Sequence, residues 1–269
     1  MWIRNNADSQ PDVKRTTCTP NHMIQMRALP WLFLCTALTG SAHEPEAHLP
    51  FDATHEEDAL VGHLHIGWDS RYFSEGRDNL DGGSLWTGSL ELEWKCFTGG
   101  LWYGNSPDRD YDEMQMTLGL AETFGDFELY GNYTHLRYPS DDSFDNEIAT
   151  GVNWSGMPFE LELAAEAYYS FAAGGAFCEL ALNREIEISD RFTLIASSIY
   201  GMNYGYVDDG HRGSNNIALR LSAEFAITKS LAITAHTAYS WALDKKTDMP
   251  GDDSLIDFFH GGIGLQLLF

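Results

Sequence analysis

Gly264-Leu265-Gln266-Leu267-Leu268-Phe269 is the stretch of sequence that decides the expected fold. Successive side chains of a β-strand point to opposite faces, so Leu265, Leu267 and Phe269 share one face with the preceding Ile263. Every member of that face is apolar. The stretch therefore predicts an amphipathic strand, one face of which requires an apolar environment.

The same alternation of apolar and polar residues recurs upstream, in segments separated by Gly, Asp, Asn, Ser and Pro. Segments of about ten residues with this alternation are typical of membrane barrels. The twelve segments are 62–72, 85–97, 99–105, 111–122, 126–138, 144–154, 158–169, 175–188, 191–202, 214–227, 231–241 and 256–269. The alternation and the even number of segments together predict an all-β fold. We expect a transmembrane antiparallel up-and-down β-barrel of about 12 strands. A secreted β-sandwich is the alternative, because its strands also alternate.

The connections between the segments alternate in length. Ser155-Gly156-Met157 and Thr228-Lys229-Ser230 are short, whereas 73–84, 203–213 and 242–255 are long and acidic. Single-chain bacterial barrels have short periplasmic turns and longer outer loops. The order therefore predicts a protein of the Gram-negative outer membrane, with hydrated acidic loops on its outer side.

The first 60 residues differ from the rest of the chain and fall into three parts. An apolar run follows Met26 and Arg27 and ends at Gly40-Ser41-Ala42, which predicts a signal peptide over 26–42. Residues 1–25 are interpreted as an upstream leader or a mis-assigned start, 43–60 as a flexible acidic segment, and 61–269 as the barrel. No run of about 18 apolar residues occurs, so the sequence predicts no membrane-spanning helix.

The charge of the chain narrows the possible partners. The formal net charge is −24 at pH 7, and such a charge repels nucleic acids and attracts cations. Cys96 and Cys178, the cysteines beyond the signal peptide, are too few for a disulfide framework and have no metal-binding or redox spacing. We therefore expect no nucleic-acid partner, no organic cofactor and no metal.

The alternation also assigns the two faces of the predicted barrel. In 158–169, Leu161 and Leu163 share one face, while Glu160, Glu162 and Glu166 share the other. A charge on the lipid face costs several kcal/mol near the middle of the membrane, so the carboxylates must face inward. The predicted lumen residues are Glu91, Glu93, Glu113, Glu128, Glu147, Glu160, Glu162, Glu166, Glu179, Arg220 and Glu224. So many carboxylates require water around them, which predicts a hydrated lumen.

Three short motifs resemble a known family. Ser70-Arg71-Tyr72-Phe73-Ser74-Glu75-Gly76, taken as part of the first strand, is similar to the opening motif of the TorF-type porins, with Glu75 where that family usually has Arg. The stretches 131–139 and 174–182 are similar to two further motifs of that family. The resemblance spans about residues 62–269 and implies a transporter-like barrel. It implies no catalytic or binding residues.

The last residue has a predicted role of its own. An amphipathic final strand that ends in an aromatic residue resembles the signal read by the outer-membrane assembly machinery, so Phe269 is the predicted assembly signal. The expected partners are that machinery, outer-membrane lipid and lipopolysaccharide, and small solutes.

The sequence contains only weak candidates for catalytic residues. His211 and Ser214 lie three residues apart and would point to opposite faces of a strand, which argues against a lipolytic enzyme. The acid pairs Asp141-Asp142, Asp208-Asp209 and Asp252-Asp253 are interpreted as hydrated loop charge, and His63 with His65 as lumen residues. No catalytic residue and no metal ligand is predicted.

Three functions therefore remain. The first is a porin-like channel for passive passage of small cationic or neutral solutes through an acidic lumen. The second is a non-conducting structural or adhesive barrel, because a twelve-stranded barrel is narrow enough for side chains or a folded loop to plug it. The third is an outer-membrane lipolytic enzyme, which lacks a convincing nucleophile and base.

Overall fold

The computed structural model describes residues 59–269, which form a closed antiparallel barrel of twelve strands together with one short hairpin, β2–β3. The barrel predicted from the sequence is confirmed, with the same number of strands. The strands are β1 (Val61–Asp69), β2 (Phe73–Ser74), β3 (Arg77–Asp78), β4 (Leu85–Trp94), β5 (Phe97–Asn105), β6 (Asp112–Phe124), β7 (Phe127–Tyr138), β8 (Ser143–Trp154), β9 (Leu161–Ser170), β10 (Gly175–Ser189), β11 (Phe192–Tyr204), β12 (Gly213–Ala226), β13 (Leu231–Ala242) and β14 (Phe258–Leu268).

The barrel closes where its first strand pairs with its last. His63 is opposite Leu268 and Asp69 is opposite Gly262 in the β1–β14 register. Gly62 and Phe269 exchange backbone hydrogen bonds of 2.8 and 2.9 Å. Each of the twelve barrel strands therefore has a partner on both sides, as the membrane interior requires of a spanning strand.

The two faces of the wall carry opposite chemistry. On β12, Leu219 and Leu221 are 52% and 45% exposed, whereas Arg220 and Glu224 are 5% and 2% exposed. A soluble sandwich would bury the apolar side chains and expose the charged ones, because apolar burial drives its folding. The inverted arrangement is that of a barrel whose outer surface meets lipid.

This inversion makes a prediction about membrane insertion. Leu219→Arg should reduce the free energy of unfolding in lipid vesicles by about 2–4 kcal/mol, because Leu219 lies on the outer face near the middle of β12. A denaturant titration in vesicles measures this loss. Thr98→Arg is the matched control, since Thr98 lies directly opposite Glu93 on the inner face. Equal losses in both variants would contradict the assignment of the faces.

The two ends of the barrel differ in their connections. At one end the turns are short, such as Lys95-Cys96, Gly125-Asp126 and Asp190-Arg191. At the other end lie the longer loops, including 70–84 and 243–257. We call these the short-turn end and the long-loop end.

Most of the predicted segment boundaries shift by one to three residues in the structure, among them the end of the second segment, which is Trp94 instead of residue 97. The segment 158–169 loses its first three residues, because Pro158–Glu160 form a 3-10 turn and β9 begins at Leu161. Pro158 has no N–H to donate to a strand neighbour, and Phe159 and Glu160 have positive φ values of 66° and 57°. Glu160 is exposed in this turn, so its assignment to the inner wall is wrong. β1 ends at Asp69 instead of residue 72, and β14 begins at Phe258 instead of 256.

Several predictions concern residues that the structure does not describe. The leader (1–25), the signal peptide (26–42) and nearly all of the acidic segment (43–60) lie outside the described residues. Within 59–269, no helix has the length and apolar character needed to cross a membrane.

Candidate functional site

The loop between β1 and β4, residues 70–84, folds into the barrel, and we call it the inserted loop. Its hairpin pairs Phe73 with Asp78 and Ser74 with Arg77, and every residue from Tyr72 to Asp78 is buried. It contacts β6, β9 and β12, which are not neighbours in the wall. The loop therefore reaches across the lumen.

Two predictions from the sequence about residues 70–84 are wrong. Residues 73–84 were expected to form a hydrated outer loop, yet most of them are buried or partly buried inside the barrel. The motif 70–76, expected on the first strand, lies in this loop instead. Gly76 at the hairpin turn has φ 71° and approaches β12 so closely that a Cβ atom would lie 2.5 Å from Asn216. Glycine is therefore required at the tip of the loop.

One flank of the inserted loop packs on aromatic side chains. The ring of Phe73 stacks on His260 with centroids 4.8 Å apart and contacts Phe258 at 5.7 Å. On the other flank, Tyr72 packs against Tyr111, and its hydroxyl donates to Glu113 Oε2 at 2.9 Å. Apolar contacts and a charge-assisted hydrogen bond thus hold both flanks against the wall.

Glu75 lies at the tip of the hairpin and is 6% exposed. Its carboxyl group accepts hydrogen bonds from Ser74 Oγ and from Tyr168 Oη, the latter at 3.1 Å. Burial raises the pKa of Glu75 well above its usual value, and repulsion from Glu147 and Glu179 raises it further. The tip of the loop therefore binds a proton more readily than an exposed glutamate.

Arg77 ties the inserted loop to the long-loop end. Its Nη2 donates to Asp252 Oδ1 at 2.9 Å, its Nη1 to Asn215 Oδ1 at 2.7 Å and its Nε to the Gly251 carbonyl at 2.9 Å. The side chains of Arg77 and Asp252 are 2% and 0% exposed. Such a buried and multiply bonded ion pair fixes the position of the loop.

Asp252 is the common acceptor of this region. Besides Arg77, it accepts from His211 Nδ1 at 2.7 Å and from the Lys246 amide at 2.9 Å. Burial acts to raise the pKa of Asp252, but the hydrogen bonds from Lys246 and His211 outweigh it and lower that pKa. The interpretation of Asp252 as hydrated loop charge is wrong, because the side chain is fully buried and hydrogen-bonded to Arg77 and His211.

The structure places the predicted lumen residues, apart from Glu160, in the barrel wall. Some of their carboxyl groups accept hydrogen bonds from side chains of other strands: Tyr130 Oη on β7 lies 2.8 Å from Glu166 on β9, and Asn153 Nδ2 on β8 lies 3.0 Å from Glu128 on β7. Glu166 is directly opposite Glu179 in the β9–β10 register. The buried members are Glu91, Glu113, Glu147, Arg220 and Glu224, and the partly buried ones are Glu93, Glu128, Glu162, Glu166 and Glu179. Their role in a pore stays a prediction.

Seven of these residues fall into two groups at different heights along the barrel. Glu113 and Glu147 lie beside the inserted loop: Glu113 bonds to Tyr72, and Tyr206 Oη donates to Glu147 at 2.5 Å. Another group lies in the halves of the strands nearest the short-turn end, and its members are Glu91, Glu93, Glu128, Glu162 and Glu224. The inserted loop thus lies between the long-loop end and this second group of residues.

Sequence reasoning missed several residues of the same inner face. Glu185 and Glu187 have the same strand parity as Glu179, and this parity alone could have identified them. Asp69 and His236 were also missed as a pair, and His236 Nε2 lies 3.4 Å from Asp69 Oδ1. No sequence signal shows this pair, because the closure of the barrel brings β1 and β13 to either side of β14.

Four histidines face inward on three neighbouring strands, β13, β14 and β1. They are His63, His65, His236 and His260. Gly264 makes room for one of them, since a Cβ atom there would lie 2.2 Å from His65 Nε2. Among residues 59–269, no three His, Cys, Asp or Glu side chains come together as a group able to hold a metal ion.

The enzyme hypothesis can be tested on the geometry of His211. Its Nε2 lies 2.7 Å from the backbone oxygen of Ser214, whereas Ser214 Oγ is 2.7 Å from Tyr200 Oη. A nucleophile and its base require a hydrogen bond between side chains. His211 and Ser214 do not form one in this structure.

Comparison with known proteins finds similarity in structure but not in sequence. No protein family and no curated protein matches the sequence. The NanC porin superposes with a TM-score of 0.51 at 11% identity, over 78% of this chain and 99% of that chain. The KdgM porin superposes with a TM-score of 0.54 at 8% identity, over 77% and 99% of the two chains. The likeness is one of fold. At identities this low, substrates and selectivity do not carry over.

Proposed function

We propose that the protein is an outer-membrane porin-like channel for passive passage of small cationic or neutral solutes. The observation that carries this proposal is the inner face of the wall, where carboxylates from most strands lie opposite an apolar outer face. The fold shared with two porins supports it. Within the described barrel strands, Arg220 is the one lysine or arginine on the inner face. A lumen of this charge favours cations over anions.

The inserted loop supports a second candidate, a non-conducting structural barrel. The loop crosses the lumen and is held by buried contacts, so a solute could pass only if the loop moves or leaves a gap beside it. The porin-like proposal therefore requires that the loop be movable. The structural alternative requires that it be permanent.

Three further proposals belong with the channel. The TorF-type resemblance of residues 62–269 implies a porin of that family. Phe269 is proposed as the signal for the assembly machinery, and its exposed ring at the β1–β14 closure would be accessible to that machinery. Lipid and lipopolysaccharide are the proposed partners of the outer face and of the long loops.

Planar-bilayer recording of the purified protein tests the main proposal. We expect discrete conductance steps, with a reversal potential in a KCl gradient that shows preference for K⁺ over Cl⁻. Heat-modifiable migration in a gel verifies that the barrel is folded. A folded barrel that conducts under no condition, even after removal of the inserted loop, would establish the structural alternative instead.

A further inference from the structure

The four inward histidines form a strip along one side of the lumen. His63 and His65 lie on β1, His260 lies on β14 and His236 lies on β13, and we call these four residues the histidine strip. One end of the strip, His260, stacks on Phe73 of the inserted loop with ring centroids 4.8 Å apart. The other end, His63, lies toward the short-turn end of the barrel. The strip therefore follows the direction in which a solute would cross the membrane.

Glycines on the same face give the imidazole rings room. Gly264 is opposite Gly67 in the β1–β14 register. A Cβ atom on Gly264 would lie 2.2 Å from His65 Nε2, and one on Gly67 would lie 2.7 Å from His65 Cε1. Two residues away along β14, a Cβ atom on Gly262 would lie 2.6 Å from His236 Cε1. Both rings therefore lie against bare backbone, where a larger residue would displace them.

Two histidines and a carboxylate lie together near the short-turn end. His63 and His65 are two residues apart on β1 and share the inner face, and Glu91 of β4 is directly opposite His63. Residues opposite each other in an antiparallel pair have Cβ atoms about 5 Å apart. The side chains of His63 and His65 are partly exposed, so a solute in the lumen can reach them. We call His63, His65 and Glu91 the first station.

A second set of the same composition lies nearer the inserted loop. His236 Nε2 lies 3.4 Å from Asp69 Oδ1, and the ring centroids of His236 and His260 are 5.8 Å apart. A carboxylate beside an imidazole fixes the orientation of the ring, as it does for histidines that bind metals. We call His236, His260 and Asp69 the second station. Each station thus offers two imidazoles and one carboxylate.

Imidazole and carboxylate together select a class of cation. Zn²⁺, Cu²⁺ and Ni²⁺ bind imidazole nitrogen, whereas Mg²⁺ and Ca²⁺ prefer oxygen ligands. Within residues 59–269, no three such side chains already surround a point that could hold a metal ion. An ion at either station would therefore have one or two protein ligands and keep water as its others. Binding of this kind lets an ion leave as well as enter, which passage requires.

We propose that the histidine strip is a path for divalent transition-metal ions of the zinc class, which pause at its two stations as they cross the lumen. The acidic inner face concentrates cations of every kind. The strip distinguishes among them, because its nitrogen ligands bind zinc-class ions in preference to Mg²⁺. The inference rests on the proposed channel function and names a class of solute for that channel.

Zinc binding by the purified, folded protein tests the strip without any current. The titration is made in detergent micelles at about pH 7.5, where an ordinary histidine is mostly neutral and able to bind a metal. Competition with a chromophoric chelator measures the affinity. Loss of an orienting carboxylate lowers metal affinity about 10- to 100-fold, so Asp69→Asn should weaken binding at the second station by that factor.

A double variant removes one ligand from each station. His65→Gln with His236→Gln should weaken zinc binding at both stations by about tenfold or more. His135→Gln is the matched control, because His135 lies on the outer face of β7 and is hydrogen-bonded to Asn146. It should keep the zinc affinity of the unmodified protein.

Zinc should also inhibit the K⁺ current, because an ion held at a station excludes K⁺ for as long as it stays. The recordings use a variant in which a short glycine linker replaces residues 72–82, so that the inserted loop does not limit the current. Half-inhibition should require about tenfold less Zn²⁺ than Mg²⁺. In the same background, the double variant should require about tenfold more Zn²⁺, and His135→Gln should require the same amount.

Failure of the path and failure of the channel give different results. A barrel that conducts K⁺ but responds equally to Zn²⁺ and Mg²⁺ would refute the path and leave the channel intact. An unchanged zinc affinity in the double variant of His65 and His236 would also refute the path, because zinc would then bind elsewhere. If the folded barrel carries no K⁺ current with or without its inserted loop, the proposed function falls and the path with it.

Discussion

Arg77→Ala is expected to give the largest gain in conductance of any single substitution. Removal of one partner from a buried ion pair costs about 3–5 kcal/mol, since the other charge remains buried without it. Here Asp252 would keep His211 but lose the guanidinium that joins it to the inserted loop. The open-to-closed ratio should therefore rise by about 100- to 4,000-fold.

Single-channel recording under conditions in which the unmodified protein is closed measures this change. Arg137→Ala is the matched control, because Arg137 pairs with Asp142 at the same end of the barrel but the two side chains are 43% and 90% exposed. Exposed ion pairs contribute little, so the control should stay closed. If Arg77→Ala also stays closed while its barrel is folded, the ion pair of Arg77 with Asp252 does not hold the inserted loop in place.

Charge reversal at three carboxylates is expected to invert ion selectivity. Glu93, Glu128 and Glu162 form a chain in which each acts electrostatically on the next, and all three lie near the short-turn end, away from the inserted loop. Replacement of all three by Lys should shift the cation-to-anion permeability ratio by about tenfold or more, since fixed charge in a narrow passage concentrates the opposite ion. The measurement is the reversal potential in a KCl gradient, in an Arg77→Ala background in which the inserted loop is released.

The control for this experiment carries the same change in total charge at a different place. Asp110, Asp141 and Asp248 are exposed in the long loops, and their replacement by Lys should leave the permeability ratio almost unchanged at physiological salt. A combined Gln variant of Glu93, Glu128 and Glu162 covers the case in which the Lys variant fails to fold. Unchanged selectivity in a folded lumen variant would refute the role of these carboxylates.

Much of the barrel could be predicted because strand alternation is a local property. Leu219, Arg220 and Leu221 reveal their two faces within a few residues, and the same rule places Glu166 and Glu179 on the inner wall. The rule failed at Glu160, where a proline at 158 ends the extended backbone and turns the chain. Periodicity identifies faces well but does not identify the residue at which a strand begins.

The inserted loop could not be predicted, because its partners are distant in sequence. Arg77 contacts Asn215 on β12 and Asp252 in the loop between β13 and β14, both of which lie more than a hundred residues further along the chain. In sequence, residues 73–84 have the polar composition of an ordinary hydrated loop. Whether such a loop points outward or inward depends on buried acceptors that only the closed barrel assembles.

The pairing of β1 with β14 has a consequence for how the barrel forms. This seam joins the two ends of the described chain, so it is the contact with the greatest loop-closure entropy. Contacts of that kind form late, and until then both strands are open edges with apolar residues such as Ile66 and Ile263 on one face. An unsealed chain would join another copy edge to edge, so its passage to the membrane must be escorted or faster than aggregation.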